Sequence, residues 1–314
     1  MTFAFVFPGQ GSQSVGMLNS LADRPEVQAT IAEASLALGE DLTQLIAAGP
    51  AEALALTTNT QPVMLTAGVA CYRAWLATGG AKPAFVAGHS LGEYSALVAA
   101  EVISFADAVP LVRFRAEAMQ TAVPLGTGTM AAILGLDGAQ VQAVCAEASA
   151  LTNEVVEAVN FNAPGQVVIA GANAAVSKAC ELLKAAGAKR ALPLSVSAPF
   201  HSSLLQTASE KLAIYLEKVT FQPPSIPLIN NVDVSVLSDP QAIKDALVRQ
   251  AAKPVRWQEI IQAMAAQGIT QVVECGPGKV LAGLTKRIDA QLQGLALFDD
   301  ASLNEVRIAL GQTA

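Results

Sequence analysis

The stretch that most constrains this chain runs from Ala84 to Val98. Phe85-Val86-Ala87 lead into Gly88-His89-Ser90-Leu91-Gly92, and Glu93-Tyr94-Ser95-Ala96-Leu97 follow. An apolar run, a Gly-x-Ser-x-Gly turn and a helix-forming run predict strand, sharp turn and helix, the context that raises a serine hydroxyl above a sheet. The glycines leave room for the tight bend. In that setting Ser90 is a nucleophile, and the Leu91 N–H points at the oxyanion formed when Ser90 attacks a carbonyl. A second reading stays open here: Ser90-Leu91-Gly92-Glu93 also fits a helix capping box, with Glu93 reaching back to the cap.

The remainder of the chain suits an α/β frame around this turn. It has 314 residues, 52% of them hydrophobic and only 5% aromatic, so Ala, Val and Leu must build the core. Net charge is −7, which argues against a general nucleic-acid binder. Cys71, Cys145, Cys180 and Cys275 form no C-x-x-C pair, so neither a zinc site nor a disulfide framework is expected. No basic residue precedes Arg24 and no apolar run reaches membrane-spanning length, which predicts a reduced, cytoplasmic protein without a membrane segment.

Phe3-Ala4-Phe5-Val6-Phe7 reads as a buried first strand, ended by Pro8-Gly9-Gln10-Gly11-Ser12-Gln13. That loop lacks the third glycine of a dinucleotide fingerprint, and Met17 stands where a Walker loop needs lysine. It does place the Gln10 amide at a strand end, where ligands of α/β sheets collect. Residues 26–48 and 63–77 read as helices, with Thr60-Gln61-Pro62 as a turn before the second. A helix over 107–121 follows the serine turn, and Arg113 can pair with Glu117 on its outer face. Arg115 falls between Leu111 and Met119, within the apolar stripe. It either snorkels outward or meets an anion.

After the break at Pro124-Leu125-Gly126 the pattern becomes strand 129–135, helix 138–149, strands 155–160 and 166–170, helix 173–186 and strand 190–194. That β-α-β-β-α-β order is ferredoxin-like and predicts a small subdomain over 126–196. It would interrupt a large α/β-hydrolase-like domain with a parallel sheet, made of 1–125 and 197–314. The chain holds two histidines, His89 and His201. His89 adjoins Ser90 and should point elsewhere, so His201 is the candidate base, set against an ordinary histidine at the start of a helix over 202–218. Asp233, after the strand-like run 227–232, is a candidate orienter, but no acid in a clear post-strand loop lies between Ser90 and His201; a backbone carbonyl could serve instead. Helices over 240–251, 257–267 and 279–291 and a strand over 271–274 complete the reading. Arg249, Lys253, Arg256, Lys279, Lys286 and Arg287 are either a solvated face or a landing place for an acidic protein.

Six ordered motifs then resemble one family over nearly the whole chain: Phe7-Pro8-Gly9-Gln10-Gly11-Ser12-Gln13, Thr60-Gln61-Pro62, Gly88-His89-Ser90-Leu91-Gly92-Glu93-Tyr94, Arg115, Asn160-Phe161-Asn162-Ala163-Pro164-Gly165-Gln166 with His201, and Gly276-Pro277-Gly278. The chain resembles the malonyl-CoA:acyl carrier protein transacylases of type II fatty acid synthesis, whose fold also serves polyketide synthases. The resemblance implies Ser90 as nucleophile, His201 as base, Gln10 and the Leu91 N–H as oxyanion hole, and Arg115 as clamp for the malonyl carboxylate. It implies that the Gln250 main-chain carbonyl orients the histidine, and that His89, Asn160 and Phe200 line the pocket. Phe200 goes with malonyl over methylmalonyl, because it crowds the α-methyl. The implied partners are malonyl-CoA and acyl carrier protein, with no cofactor and no metal. The rival with the same dyad is a serine hydrolase or thioesterase, which needs no arginine on an apolar stripe.

Overall fold

The computed structural model describes residues 2–312. The first apolar run forms β1 (Phe3–Phe7), every residue of it buried. A strand buried on both faces needs neighbours on both edges and helices above and below. β1 accordingly lies in the middle of a parallel sheet with β2 (Phe85–Gly88), β7 (Gln271–Cys275) and β8 (Gln293–Leu297), in the order β2-β1-β7-β8. Helix Thr57–Ala77 packs its buried length against this sheet, and Phe5 meets Tyr72 and Trp75 edge-on.

The second sheet is antiparallel and comprises β3 (Gly128–Leu134), β4 (Val156–Ala163), β5 (Gln166–Ala172) and β6 (Arg190–Pro193). Its order is β4-β5-β3-β6, with helices Gly138–Thr152 and Asn173–Ala185 packed together. That is the ferredoxin-like arrangement, with its own apolar core around Ile133, Val141, Ile169 and Leu183. Backbone hydrogen bonds tie this sheet to the rest of the protein. Phe161 N–H donates to Val255 O and Val255 N–H to Val159 O, at 3.0 and 2.9 Å. β4 therefore pairs, through one parallel bridge between Asn160 and Val255, with the segment that precedes helix Trp257–Ala266.

Several local readings change. The region 26–48 is two helices, Pro25–Leu38 and Thr43–Ala48, because Gly39 turns left-handed at φ 68° and ends the first. Thr60-Gln61-Pro62 is no turn: the helix begins at Thr57 and carries Pro62 inside it. Arg113 pairs with Glu40 of a distant loop rather than with Glu117. Residues 227–232 form no strand. Pro227 and Leu228 touch β2 only through Val86 N–H to Pro227 O and Ile229 N–H to Val86 O. The stretch after His201 starts as a single 3-10 turn, Ser203–Leu205, before helix Gln206–Leu216.

Candidate active site

β2 ends at Gly88, and the chain turns at once into helix Gly92–Ala99. Close approach explains both glycines. A Cβ on Gly88 would lie 1.9 Å from the Gly92 backbone, and one on Gly92 would lie 2.0 Å from the Phe7 carbonyl oxygen. Between them Ser90 takes φ 53°, a left-handed conformation that a non-glycine residue holds only where surrounding structure imposes it. Ser90 is no helix cap. Leu91 occupies the cap position without a side-chain cap bond, and Glu93 points away into the protein.

The bracket around the turn comes from far along the chain. Fully buried Asn231 accepts from Ser90 N–H through Oδ1 at 2.8 Å and donates through Nδ2 to Gly88 O at 2.7 Å. Gln250 Nε2 donates to Ser90 O at 2.9 Å and to Glu93 Oε2 at 2.8 Å. These bonds grip the backbone on both sides of Ser90.

Ser90 Oγ lies 2.6 Å from His201 Nε2, and His201 Nδ1 lies 2.8 Å from the main-chain oxygen of Gln250. A carbonyl only accepts, so Nδ1 carries the proton and Nε2 offers its lone pair to the serine hydroxyl. His201 is itself left-handed, at φ 64°. Burial, with Arg115 adding to it, pushes its pKa down to about 3, so the ring is neutral at physiological pH and ready to accept a proton. Asp233 does not orient it; that carboxylate is paired with Arg249 at the surface.

Arg115 is the largest charge at the site and is 1% exposed. Its Nη1 donates to Gln61 Oε1 and its Nη2 to Gln250 Oε1, each at 2.8 Å, and Nη2 stands 3.2 Å from Ser90 Oγ. The guanidinium also lies over the Tyr94 ring, 5.3 Å from its centroid. Among the described residues no carboxylate forms an ion pair with it. Two neutral amide oxygens hold the cation in place and leave its charge for an incoming anion. Burial pushes the Arg115 pKa below its ordinary value, yet a guanidinium stays charged.

Above these groups lies a cavity of about 200 Å³. The parallel-sheet side contributes Gln10, Gln61, His89, Ser90, Leu91, Arg115, Met119, Phe200 and His201. The antiparallel side contributes Met130, Asn160, Asn162, Val168 and Leu194. Gln10 is exposed at the rim, its Nε2 3.3 Å from Thr57 Oγ1. Among the described residues neither the Gln10 nor the Leu91 backbone N–H has a protein acceptor. His89 turns away from Ser90, as adjacency demands. Its Nε2 meets Asn162 Oδ1 at 2.8 Å and its ring tilts against Trp257. Phe200 is buried in a cluster with Met119, Met130, Val159 and Val168.

Residues 4–293 match the acyl transferase domain family. The malonyl CoA-acyl carrier protein transacylase of Escherichia coli strain K12 is 57% identical over 302 residues, covering 96% of this chain and 97% of that protein. The chain belongs to the acyl transferase family. The acyl transferase superposes on the crystal structure of the Burkholderia pseudomallei acyl-carrier-protein S-malonyltransferase with a TM-score of 0.96. The two are 69% identical over 98% of this chain and 99% of that one. It is also similar, at 52% identity and a TM-score of 0.95, to PlMCAT, solved with AntF as a type II polyketide synthase carrier protein in complex with its malonyl-transacylase. There the coverage is 97% of this chain and 98% of that one.

Three groups at the acyl transferase site escaped the sequence reading. Asn231 lies 141 residues from the serine it brackets, so no local pattern marks it. Gln61 falls in a Thr-Gln-Pro stretch that predicts a turn, and instead its Oε1 accepts from Arg115. The resemblance points to the Gln250 carbonyl alone, whereas its side chain also touches Ser90, Glu93 and Arg115. Of the basic cluster, Arg249 is paired with Asp233 and Asp245, and Arg256 with Glu259.

Proposed function

We propose that the protein transfers the malonyl group of malonyl-CoA to the phosphopantetheine thiol of acyl carrier protein, supplying extender units for fatty acid synthesis. The observation that carries the malonyl assignment is Arg115, a buried cation without a carboxylate partner among the described residues, 3.2 Å from Ser90 Oγ. A malonyl thioester brings one carboxylate within reach of its carbonyl carbon, and a guanidinium binds such a group through paired hydrogen bonds.

In the first half-reaction Ser90 Oγ attacks the thioester carbonyl while His201 Nε2 takes the hydroxyl proton. The oxyanion sits between the Leu91 and Gln10 N–H groups; one such donor is worth ~3 kcal/mol. Collapse expels the CoA thiolate, which leaves with the proton from His201. In the second, His201 takes the proton of the carrier's thiol, the sulfur attacks the malonyl-serine, and the proton returns to Ser90 Oγ. The Gln250 carbonyl holds the imidazole throughout and accepts from the Nδ1 proton of the transient imidazolium. Ping-pong kinetics follow. No step in this scheme draws on a cofactor or a metal.

We read residues 126–196 as an inserted ferredoxin-like unit that closes the cavity over the catalytic domain. We place the enzyme in the cytoplasm, with support from its four free cysteines and from the absence, among the described residues, of any helix long and apolar enough to cross a membrane.

The test is the intact mass after brief incubation with malonyl-CoA. One malonyl adduct on the native protein and none on Ser90→Ala is the expected result. Free malonate without an adduct would favour hydrolysis, the thioesterase reading. Neither adduct nor turnover would remove Ser90 as nucleophile.

A further inference from the structure

Glu93 is a carboxylate buried beneath the nucleophile, 1% exposed, that no step above uses. Its Oε2 accepts from Gln250 Nε2 at 2.8 Å and from Asn231 N–H at 3.2 Å. A glutamine amide has a donating end and an accepting end, and its neighbours decide which way it faces. Around Gln250 Nε2 stand Glu93 Oε2, Ser90 O at 2.9 Å and Asn231 Oδ1 at 3.4 Å, all acceptors. The other end, Oε1, therefore faces Arg115 Nη2 at 2.8 Å. Reversed, the same amide would push an NH2 group at a buried guanidinium. Among the three acceptors the Glu93 carboxyl oxygen stands nearest, at 2.8 Å, and it is the one supplied by a side chain that burial holds at a pKa of about 7.

We propose that Glu93 is a positioning residue for selection of the acyl group. It locks the Gln250 amide with its oxygen toward Arg115, and so fixes the guanidinium in line with the carboxylate of a malonyl group. The inference rests on the malonyl reading above. Glu93 touches neither substrate nor reacting atoms; it acts on Arg115 through Gln250, while its bond from Asn231 N–H braces the serine turn, which serves every acyl group alike. An uncharged acyl group offers Arg115 no carboxylate to bind, so loss of the lock should weigh on malonyl transfer far more than on acetyl transfer. A residue that only supported the fold would lower both alike.

The experiment compares kcat/KM for malonyl-CoA and acetyl-CoA in the native enzyme and in Glu93→Leu, Glu93→Gln and Gln250→Met, with a melting curve for each. Glu93→Leu is expected to lower the malonyl-to-acetyl ratio at least about tenfold. Glu93→Gln can present an oxygen at the place of Oε2 and should recover most of the ratio. Gln250→Met removes the amide while keeping the main-chain carbonyl that holds His201, and it should reproduce the loss seen with Glu93→Leu. A folded Glu93→Leu protein with an unchanged ratio overturns the proposal. If that variant does not fold, an unchanged ratio in Gln250→Met overturns it instead. A native enzyme that forms no malonyl-serine would overturn the malonyl reading itself, and the inference with it. A native enzyme that forms the adduct confines any failure to Glu93.

Discussion

Arg115 concentrates the residue-scale argument. Its burial without a carboxylate has a desolvation penalty that two amide oxygens offset only in part. Arg115→Ala is expected to lower kcat/KM for malonyl-CoA by about 100-fold or more, the scale of a lost bidentate ion pair. Acetyl transfer should fall much less. Equal loss for both acyl groups would remove Arg115 as the carboxylate clamp. His201 yields a prediction in pH. Its pKa is held near 3 by burial, below the ordinary 6.5, so the neutral working form persists well into acid. With a malonyl thioester that carries no phosphate, kcat/KM for acylation should lack an ascending limb near pH 6.5. A limb at that value would show an imidazole titrating as if in water. The sign for stability is the same: the contribution of neutral, buried His201 is complete above 6.5 and is lost as pH falls toward 3. At this scale the sequence spoke through chemistry that few residues can perform. Two histidines, one serine turn and one arginine on an apolar stripe left little choice. Asn231 and Gln61 stayed silent because an amide is common, and its meaning here lies in partners far away in the chain.

At the scale of elements, reading succeeded where a period or a turn signal existed. The β-α-β-β-α-β order of the small sheet emerges within a residue or three at each boundary, since its strands and helices are separated by turn signals, and the first helix opens on a capping box of Asp137 with Gln140. Helix Thr57–Ala77 failed at its start for a physical reason. It is buried on nearly every face, so no polar stripe gives it a phase, and Pro62 then reads as a break. The run 227–232 failed in the other direction, because apolar residues next to Pro227 pair with β2 at only one point. β8 and the helix Asp300–Ala309 were not anticipated: Gln293–Leu297 is short and carries no β-branched residue. One element depends on a buried acid. Glu274 of β7 is fully buried and accepts from Ala282 N–H at 2.9 Å, at the head of helix Val280–Ile288. Burial raises its pKa to about 7, above the ordinary 4.5. A raised carboxyl stabilises the fold below 4.5 and loses that contribution as pH climbs through 7. Glu274→Gln keeps an acceptor for the helix and removes the titration. Its melting temperature should therefore drop less between pH 6 and 8 than that of the native protein. Parallel curves would mean that Glu274 does not titrate there.

The whole molecule works as two sheets facing one cavity. Ser90 stands at the carboxyl edge of the parallel sheet, where β1 and β2 end, as ligand sites of open α/β sheets do, and helix Phe105–Gln120 and the segment before Ser203 bring Arg115 and His201 to it. The antiparallel sheet supplies Met130, Asn160, Val168 and Leu194 as the opposing wall. The backbone bonds at Val255 and the His89–Asn162 hydrogen bond keep that wall in register with the serine turn. Substrate size is therefore a property of neither sheet alone. Phe200 sits at the junction, one residue before the base, and packs with Met119 from one side and with Met130 and Val168 from the other. Its place in the cavity wall leads us to expect that its ring excludes a substituent on the α-carbon of malonate. Phe200→Ser should enlarge the cavity, because the walls are braced by backbone hydrogen bonds and cannot close over the gap. The loss of a buried ring costs about 3 kcal/mol. In a competition between malonyl-CoA and methylmalonyl-CoA, read from the masses of the two acyl-serines, the methylmalonyl share should rise in the variant. The native enzyme should stay with malonyl. If the share does not move while the variant remains folded, the α-methyl is excluded elsewhere in the cavity, and Phe200 serves the contact between the sheets alone.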